Sequence, residues 1–136
     1  MTRFLLDTHV LLWLLGDSPR ITQRDHALLA VGAAECHVSV ASWWELAMKQ
    51  SRGVSALSMG VEDIRTASLD AGFHELLIDA APALLVAELP LLHRDPFDRL
   101  LIAQALCEPM RLVTADALDA SYAPTCGVLI ERVGGT

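Results

Sequence analysis

Cysteine is scarce and odd in number. Cys36, Cys107 and Cys126 are widely spaced with no C-x-x-C pair, which argues against a thiolate zinc site or a disulfide framework and leaves them as buried small hydrophobes. Long apolar runs are missing too. None approaches the roughly 18 to 20 residues that span a bilayer, and Asp7 and His9 interrupt the first apolar segment, so no membrane helix and no secretory leader are expected. The chain reads as cytoplasmic. Positive charge is short: 10 Lys and Arg stand against 17 Asp and Glu, a net charge of −7. That balance is wrong for a protein that holds nucleic acid by charge alone, but compatible with an enzyme that meets a phosphodiester through metal ions. A P-loop, a G-x-S-x-G elbow and an H-E-x-x-H pair are all absent. Internal repeats and low-complexity tracts are absent as well.

What is present is a large apolar load, 53% of 136 residues with a mean hydropathy of +0.40, enough for a single domain over 1–136 with a substantial core. The clearest signal is His93-Arg94-Asp95-Pro96-Phe97-Asp98-Arg99. Asp95 suits the N-cap, Pro96 the first helical position and Asp98 the third, and the following residues are apolar nearly all round, so a buried helix runs from Asp95 to before Pro109. An ionised Asp98 at its mouth is costly unless something cationic meets it.

Around this helix, strand and helix alternate. Arg3 to Leu6 is strand-like and ends at Asp7, before a helical run from Thr8 to Leu15 stopped by Gly16-Asp17-Ser18-Pro19. Thr22 caps a second helix carrying Leu28, Leu29 and Val31. His37 to Val40 is β-rich, and Ser42-Trp43-Trp44-Glu45 has the form of a capping box that opens a helix through Lys49. Ser51 to Gly60 reads as an exposed loop. Val61 to Ala71 is helical, Phe73 to Ile78 a strand, and a helix starting at Asp79 or Ala81-Pro82 runs through Glu88. Met110 to Thr114 is a strand leading to Asp116, Ala117 to Tyr122 a short helix, and Val128 to Ile130 a last strand. Such alternation predicts a parallel sheet covered on both faces, with the strand–helix junctions opening on one edge.

Four acids occupy such junctions: Asp7 and Asp116 after strands, Glu45 and Asp98 in first turns of helices. Two carboxylates about 4 Å apart repel by roughly 4 kcal/mol at an effective dielectric near 20. A converging quartet therefore needs protons or divalent cations, and an oxygen-only cluster suits Mg²⁺ or Mn²⁺. Held there, such a cation supports phosphodiester hydrolysis. Taken singly, Glu45 and Asp98 are equally readable as helix-dipole acids and Asp116 as an N-cap, whereas Asp7 interrupts two apolar runs without a turn signal.

Other residues carry plainer readings. Asp95 is a cap. Thr114 and Ser42 either support the site from its edge or cap backbone locally. His9 and His93 could bind metal or phosphate but read rather as polar structure, and Trp13, Trp43 and Trp44 as core or interface rather than as base-stacking platforms. Arg94, Arg99 and Lys49 offset the acidic charge, touch a substrate phosphate, or pair on the surface.

Together, Phe4-Leu5-Leu6-Asp7-Thr8-His9, Ser42-Trp43-Trp44-Glu45-Leu46-Ala47-Met48-Lys49, the stretch from His93 to Ala105 and Val113-Thr114-Ala115-Asp116 resemble the PIN-domain family, specifically its VapC-type toxins. The resemblance covers essentially the whole chain in order. It implies a Rossmann-like three-layer α/β/α fold with a short, mainly parallel sheet and Mg²⁺- or Mn²⁺-dependent endoribonuclease activity as the toxin of a type II toxin–antitoxin pair. It also implies metal-binding acids at Asp7, Glu45, Asp98 and Asp116, with Asp95 and Thr114 nearby. The implied partners are RNA, a small VapB-type antitoxin with a basic tail, and a second copy of the chain as a homodimer. Two rivals to that reading remain: a DNA-directed nuclease or phosphatase with the same metals, and a non-catalytic module whose acids receive a basic partner segment.

Overall fold

The computed structural model describes residues 1–53 and 59–134. Five strands form one sheet, β1 (Thr2–Leu6), β2 (Ala34–Ser39), β3 (His74–Leu76), β4 (Arg111–Thr114) and β5 (Ile130–Arg132), in the order β3-β2-β1-β4-β5 with every pairing parallel. The helices are α1 (Thr8–Leu15), α2 (Gln23–Leu29), α3 (Val40–Ser51), α4 (Val61–Asp70), α5 (Ala80–Leu85), α6 (Pro96–Cys107), α7 (Ala117–Ala120) and α8 (Tyr122–Cys126), with a 3-10 turn at Val86–Glu88. They cover both faces, giving the three-layer α/β/α arrangement. The sheet is wholly parallel rather than mainly so.

The alternation of β1 divides the core. Phe4 and Leu6 point to the side packed by Val10, Leu11, Leu46 and Ile64, while Leu5 joins Leu101, Ile102, Leu112 and Tyr122 on the other. Helix α6 is buried from Leu100 through Ala105, as its all-round apolar sequence predicts. Its one amide is tied on both sides: Gln104 Oε1 accepts from the Ser39 hydroxyl, and Nε2 donates to the Leu77 carbonyl at 3.2 Å. Gln104→Ala would leave both partners unpaired beside a cavity, so urea unfolding should show a loss of about 2–3 kcal/mol.

The strand order reverses between β1 and β4, and that switch point is where parallel sheets open a crevice at their carboxyl ends. Asp7 follows Leu6 directly, with its N–H bonded to the Val113 carbonyl at 3.0 Å, and Asp116 lies two residues beyond Thr114. Both acids therefore face the crevice from adjacent strands.

Three expectations are corrected. The capping box at Ser42 and Glu45 does not form: α3 starts at Val40, directly off β2, with Ser39 as its N-cap accepting from Ala41 N–H at 3.0 Å. Ser42 is inside the first turn and Glu45 in the second. The segment from Ala117 to Tyr122 breaks at Ser121 into α7 and α8. The last strand lies two residues later than Val128 to Ile130, because Val128 is drawn into the core while Ile130 pairs with Leu112. Among the cysteines only Cys36 is fully buried, and Cys107 is exposed. Ser51 to Gly60 lies partly outside the described residues. No helix among the described residues is long and apolar enough to cross a membrane.

Candidate metal centre

Each acid of the crevice is positioned by the backbone turn it ends. Asp7 caps α1, its Oδ1 accepting from Val10 N–H at 2.8 Å, and it is buried. Burial pushes its carboxyl above the ordinary range, against smaller opposing pulls from the Thr114 hydroxyl, the Val10 amide and His9. Asp116 caps α7 through Leu118 N–H at 2.7 Å. Asp95 caps α6, accepting from Phe97 N–H at 2.8 Å and Asp98 N–H at 3.3 Å, which spends that carboxylate on the helix start and leaves Asp98 free to turn inward.

Asp98 turns onto His93. The His93 Nε2 lies 3.1 Å from Asp98 Oδ2, 3.3 Å from Asp116 Oδ2 and 3.8 Å from Asp119 Oδ1. Its other nitrogen, Nδ1, accepts the Asp95 backbone N–H at 3.1 Å. An accepting Nδ1 places the ring proton on Nε2, so the imidazole presents an N–H to Asp98 and Asp116 instead of a lone pair. His93 is thus part of the site rather than polar structure alone, and it meets Asp98 with a hydrogen-bond donor.

The residue that sequence reasoning missed is Asp119. It is 1% exposed, and its Oδ1 is buried with no hydrogen-bond partner, while Oδ2 accepts from the Thr114 hydroxyl at 3.3 Å. The signal was there: Asp116 and Asp119 stand three apart across a helix start, a spacing that puts both on one side. Burial, then the charge of Asp116, lifts the Asp119 carboxyl to about 7. Burial, then the charges of Asp119 and Asp95, lifts Asp98 to about 8.

Glu45 approaches from α3. Its Oε1 accepts from the Thr8 hydroxyl at 2.7 Å and its Oε2 meets Lys49 Nζ at 3.1 Å, with Ser42 Oγ 2.9 Å from the same threonine. The Glu45 charge also adds a small upward push to the Asp98 carboxyl. The tightest group comprises His93, Asp98, Asp116 and Asp119, with one polar atom from each lying within 4.8 Å of all the others. Asp7 and Glu45 flank that group. Of the basic residues named from sequence, Lys49 does offset an acid, whereas Arg99 points away from the crevice, donating to the carbonyls of Val86, Leu89 and Pro90 and to the Tyr122 hydroxyl.

This donor set fits a hard divalent cation. The available lone pairs are carboxylate oxygens, and Asp119 Oδ1 is a buried acceptor for which the described residues supply no hydrogen. Beside the acids, Asp7, His9, Trp13, Arg20, Ala115 and Asp116 line an open cleft of about 340 Å³.

The family model of the PIN domain matches residues 4–118. No curated protein matches the sequence. Among solved structures, the chain is similar to VapBC2 from Rickettsia felis, a structure bound to a DNA fragment from its promoter, with 18% identity, a TM-score of 0.69 and coverage of 97% of this chain and 99% of that one. It is similar also to VapBC-5, a member of the VapBC family of toxin-antitoxin systems from Mycobacterium tuberculosis, with 24% identity, a TM-score of 0.60 and coverage of 98% and 100%. The PIN domain endonuclease Utp24 aligns at 12% identity with a TM-score of 0.59, covering 98% of this chain and 86% of that one.

Proposed function

The chain belongs to the PIN-domain family, whose members are nucleases, and on that premise we propose that it is a Mg²⁺- or Mn²⁺-dependent endoribonuclease, the toxin of a type II toxin–antitoxin pair. The observation that carries the reading is the convergence of Asp98, Asp116 and Asp119 beside Asp7 and Glu45, with one buried carboxylate oxygen left unpaired. In this reading Asp7, Asp98, Asp116 and Asp119 hold the cation, and Glu45 completes the set. A bound cation supplies Lewis acidity at a phosphoryl oxygen and a more acidic water. Thr114 fixes the rotamer of Asp119, Thr8 and Lys49 fix Glu45, and Asp95 serves by freeing Asp98. The His93 N–H stands where it can hydrogen-bond and steady an oxygen beside Asp98 and Asp116.

A VapB-type antitoxin with a basic tail suits a crevice this acidic on a chain of net charge −7. The structures from Rickettsia felis and Mycobacterium tuberculosis, described as VapBC, favour that kind of partner, and homodimer formation belongs to the same proposal.

Purified, partner-free protein with Mn²⁺ should cut single-stranded RNA and leave single-stranded DNA and a small phosphate ester intact when the three are assayed side by side. Preferential cleavage of DNA or of the ester would replace the RNA reading with one of the alternative hydrolases. No cleavage together with no Mn²⁺ binding would leave the acids as a dock for a basic segment.

Metal binding should be strongly pH-dependent. With Asp98 lifted to about 8 and Asp119 to about 7, both bind protons near neutrality that a cation must displace. Raising the pH from 6 to 8 removes that competition, so Mn²⁺ affinity should rise by about tenfold per pH unit for each proton released. Calorimetry at pH 7 in buffers of different ionisation enthalpy should show that release directly. A heat independent of buffer would mean the carboxyls are already ionised.

A further inference from the structure

Resting on the nuclease reading, we propose that the cleft lined by His9, Trp13 and Arg20 binds the nucleotide next to the scissile phosphate of a single-stranded RNA, its base stacked on Trp13 and Arg20 and its phosphate facing Arg20. The cleft shares Asp7 and Asp116 with the metal centre, so a nucleotide seated in it has its backbone at the acids without any movement of the fold. Its volume, about 340 Å³, is at the lower end of the range for small-molecule sites and suits a single nucleotide.

The chemistry of the lining is that of a stacking platform. The Arg20 guanidinium carbon lies 5.1 Å from the Trp13 ring centroid, and the His9 ring stands 6.3 Å from Trp13 at a 38° tilt. Stacked aromatic and guanidinium planes are the surfaces on which single-stranded bases rest, largely irrespective of sequence. The sequence reading gave Trp13 to the core or an interface. The structure gives it both roles, because its body packs on the cluster around Leu11 and Ile21 while part of the ring remains open to the cleft.

Charge points to the same surface. An acidic centre on a chain of net charge −7 repels RNA unless a cation sits beside it. Three cations near the centre are engaged, Lys49 with Glu45, Arg99 with three carbonyls and a phenol, and Arg132 with the Ala115 carbonyl, while Arg94, exposed beside His93, lies outside the cleft lining. Arg20 is exposed and, among the described residues, makes no salt bridge. Its backbone is nonetheless well placed, since its N–H bonds to Ser18 Oγ at 3.2 Å and the adjacent Ile21 is buried. A fixed backbone carrying a guanidinium that rests on Trp13 and makes no salt bridge among the described residues, at the lip of the cleft, is what phosphate recognition needs.

Steady-state cleavage of a single-stranded RNA with Mn²⁺, alongside calorimetric Mn²⁺ binding without RNA, tests the assignment. Trp13→Ala and Arg20→Ala should each raise KM about tenfold or more, with Mn²⁺ affinity within twofold of wild type, and Trp13→Phe, which keeps a stacking face, should raise KM less than Trp13→Ala. Arg20→Ala removes an exposed side chain, so it reports even if Trp13→Ala folds poorly. Wild-type cleavage with KM unchanged in Arg20→Ala, or a KM raised as much by Trp13→Phe as by Trp13→Ala, would overturn the cleft assignment and leave the nuclease reading standing. Failure of the wild type to cut RNA would overturn both.

Discussion

Asp98→Asn should lose metal-dependent RNA cleavage by about a thousandfold or more and yet give a metal-free protein that unfolds at a higher temperature than wild type at pH 8. The loss corresponds to about 4 kcal/mol of transition-state stabilisation and follows, on the proposed site, from removing a charged oxygen from the proposed cation ligands. The gain follows from the linkage. The Asp98 carboxyl titrates near 3.8 when unfolded and at about 8 in the fold, so the folded state holds its proton more tightly. That contribution is fully present below the unfolded value, around pH 4, and is lost as pH rises through about 8. At pH 8 the wild type therefore carries a buried, partly ionised carboxylate beside Asp119 and Asp95, a cost that the neutral amide avoids. The expected advantage of Asp98→Asn is on the order of 3 kcal/mol at pH 8, shrinking toward pH 5. Saturating Mn²⁺ should reverse the order, because binding stabilises only the chain that keeps the ligand. Calorimetric scans at pH 5 and pH 8, with and without Mn²⁺, give all four values. A metal-free variant no more stable than wild type at pH 8 would refute the electrostatic account of the site, whatever happens to activity.

The parts of this site legible in the sequence are those written in local backbone chemistry. Asp7 was visible because a carboxylate between two apolar runs has no turn to explain it, and the structure puts it at the end of β1 as the cap of α1. Asp95-Pro96-x-Asp98 fixed both the start of α6 and the division of labour between its two acids. What failed was decided by tertiary contacts. Ser42 and Glu45 satisfy a capping-box pattern, but Ser39 takes the cap because its buried hydroxyl also serves Gln104 from a helix distant in sequence. Glu45 still reaches the crevice, since a helix launched three residues earlier carries it inward to Thr8. Asp119 was hidden for a different reason. On a four-residue helix its only mark is the three-residue spacing from Asp116, and the unpaired oxygen that singles it out among the described residues is revealed by packing alone.

Arg99 illustrates the same limit with the largest expected effect on stability. Adjacent in sequence to Asp98, it invites a role toward the acids or a substrate phosphate. In the fold its Nη1 donates to the Pro90 carbonyl and the Tyr122 hydroxyl, both at 3.0 Å, and its Nη2 to the carbonyls of Val86 at 3.0 Å and Leu89 at 3.3 Å. One planar fork thus closes the chain segment from the 3-10 turn to Pro90 over α6, using the geometry that lysine lacks. Tyr122, fully buried, accepts the backbone N–H groups of Leu92 and His93 on the same oxygen, so the clamp continues to the histidine that faces Asp98. Arg99→Ala leaves several part-buried acceptors unpaired and should cost about 3–5 kcal/mol in urea unfolding. Arg99→Lys should recover less than half of it, since one ammonium cannot span carbonyls on two sides. Because His93 presents a proton to the carboxylates and is not a ligand in this arrangement, Mn²⁺ affinity of the folded Arg99→Lys protein should stay within about threefold of wild type. Its cleavage rate should fall further than its affinity as His93 loosens. The reverse pattern, full stability with weakened RNA binding, would show Arg99 facing the substrate and the clamp to be incidental.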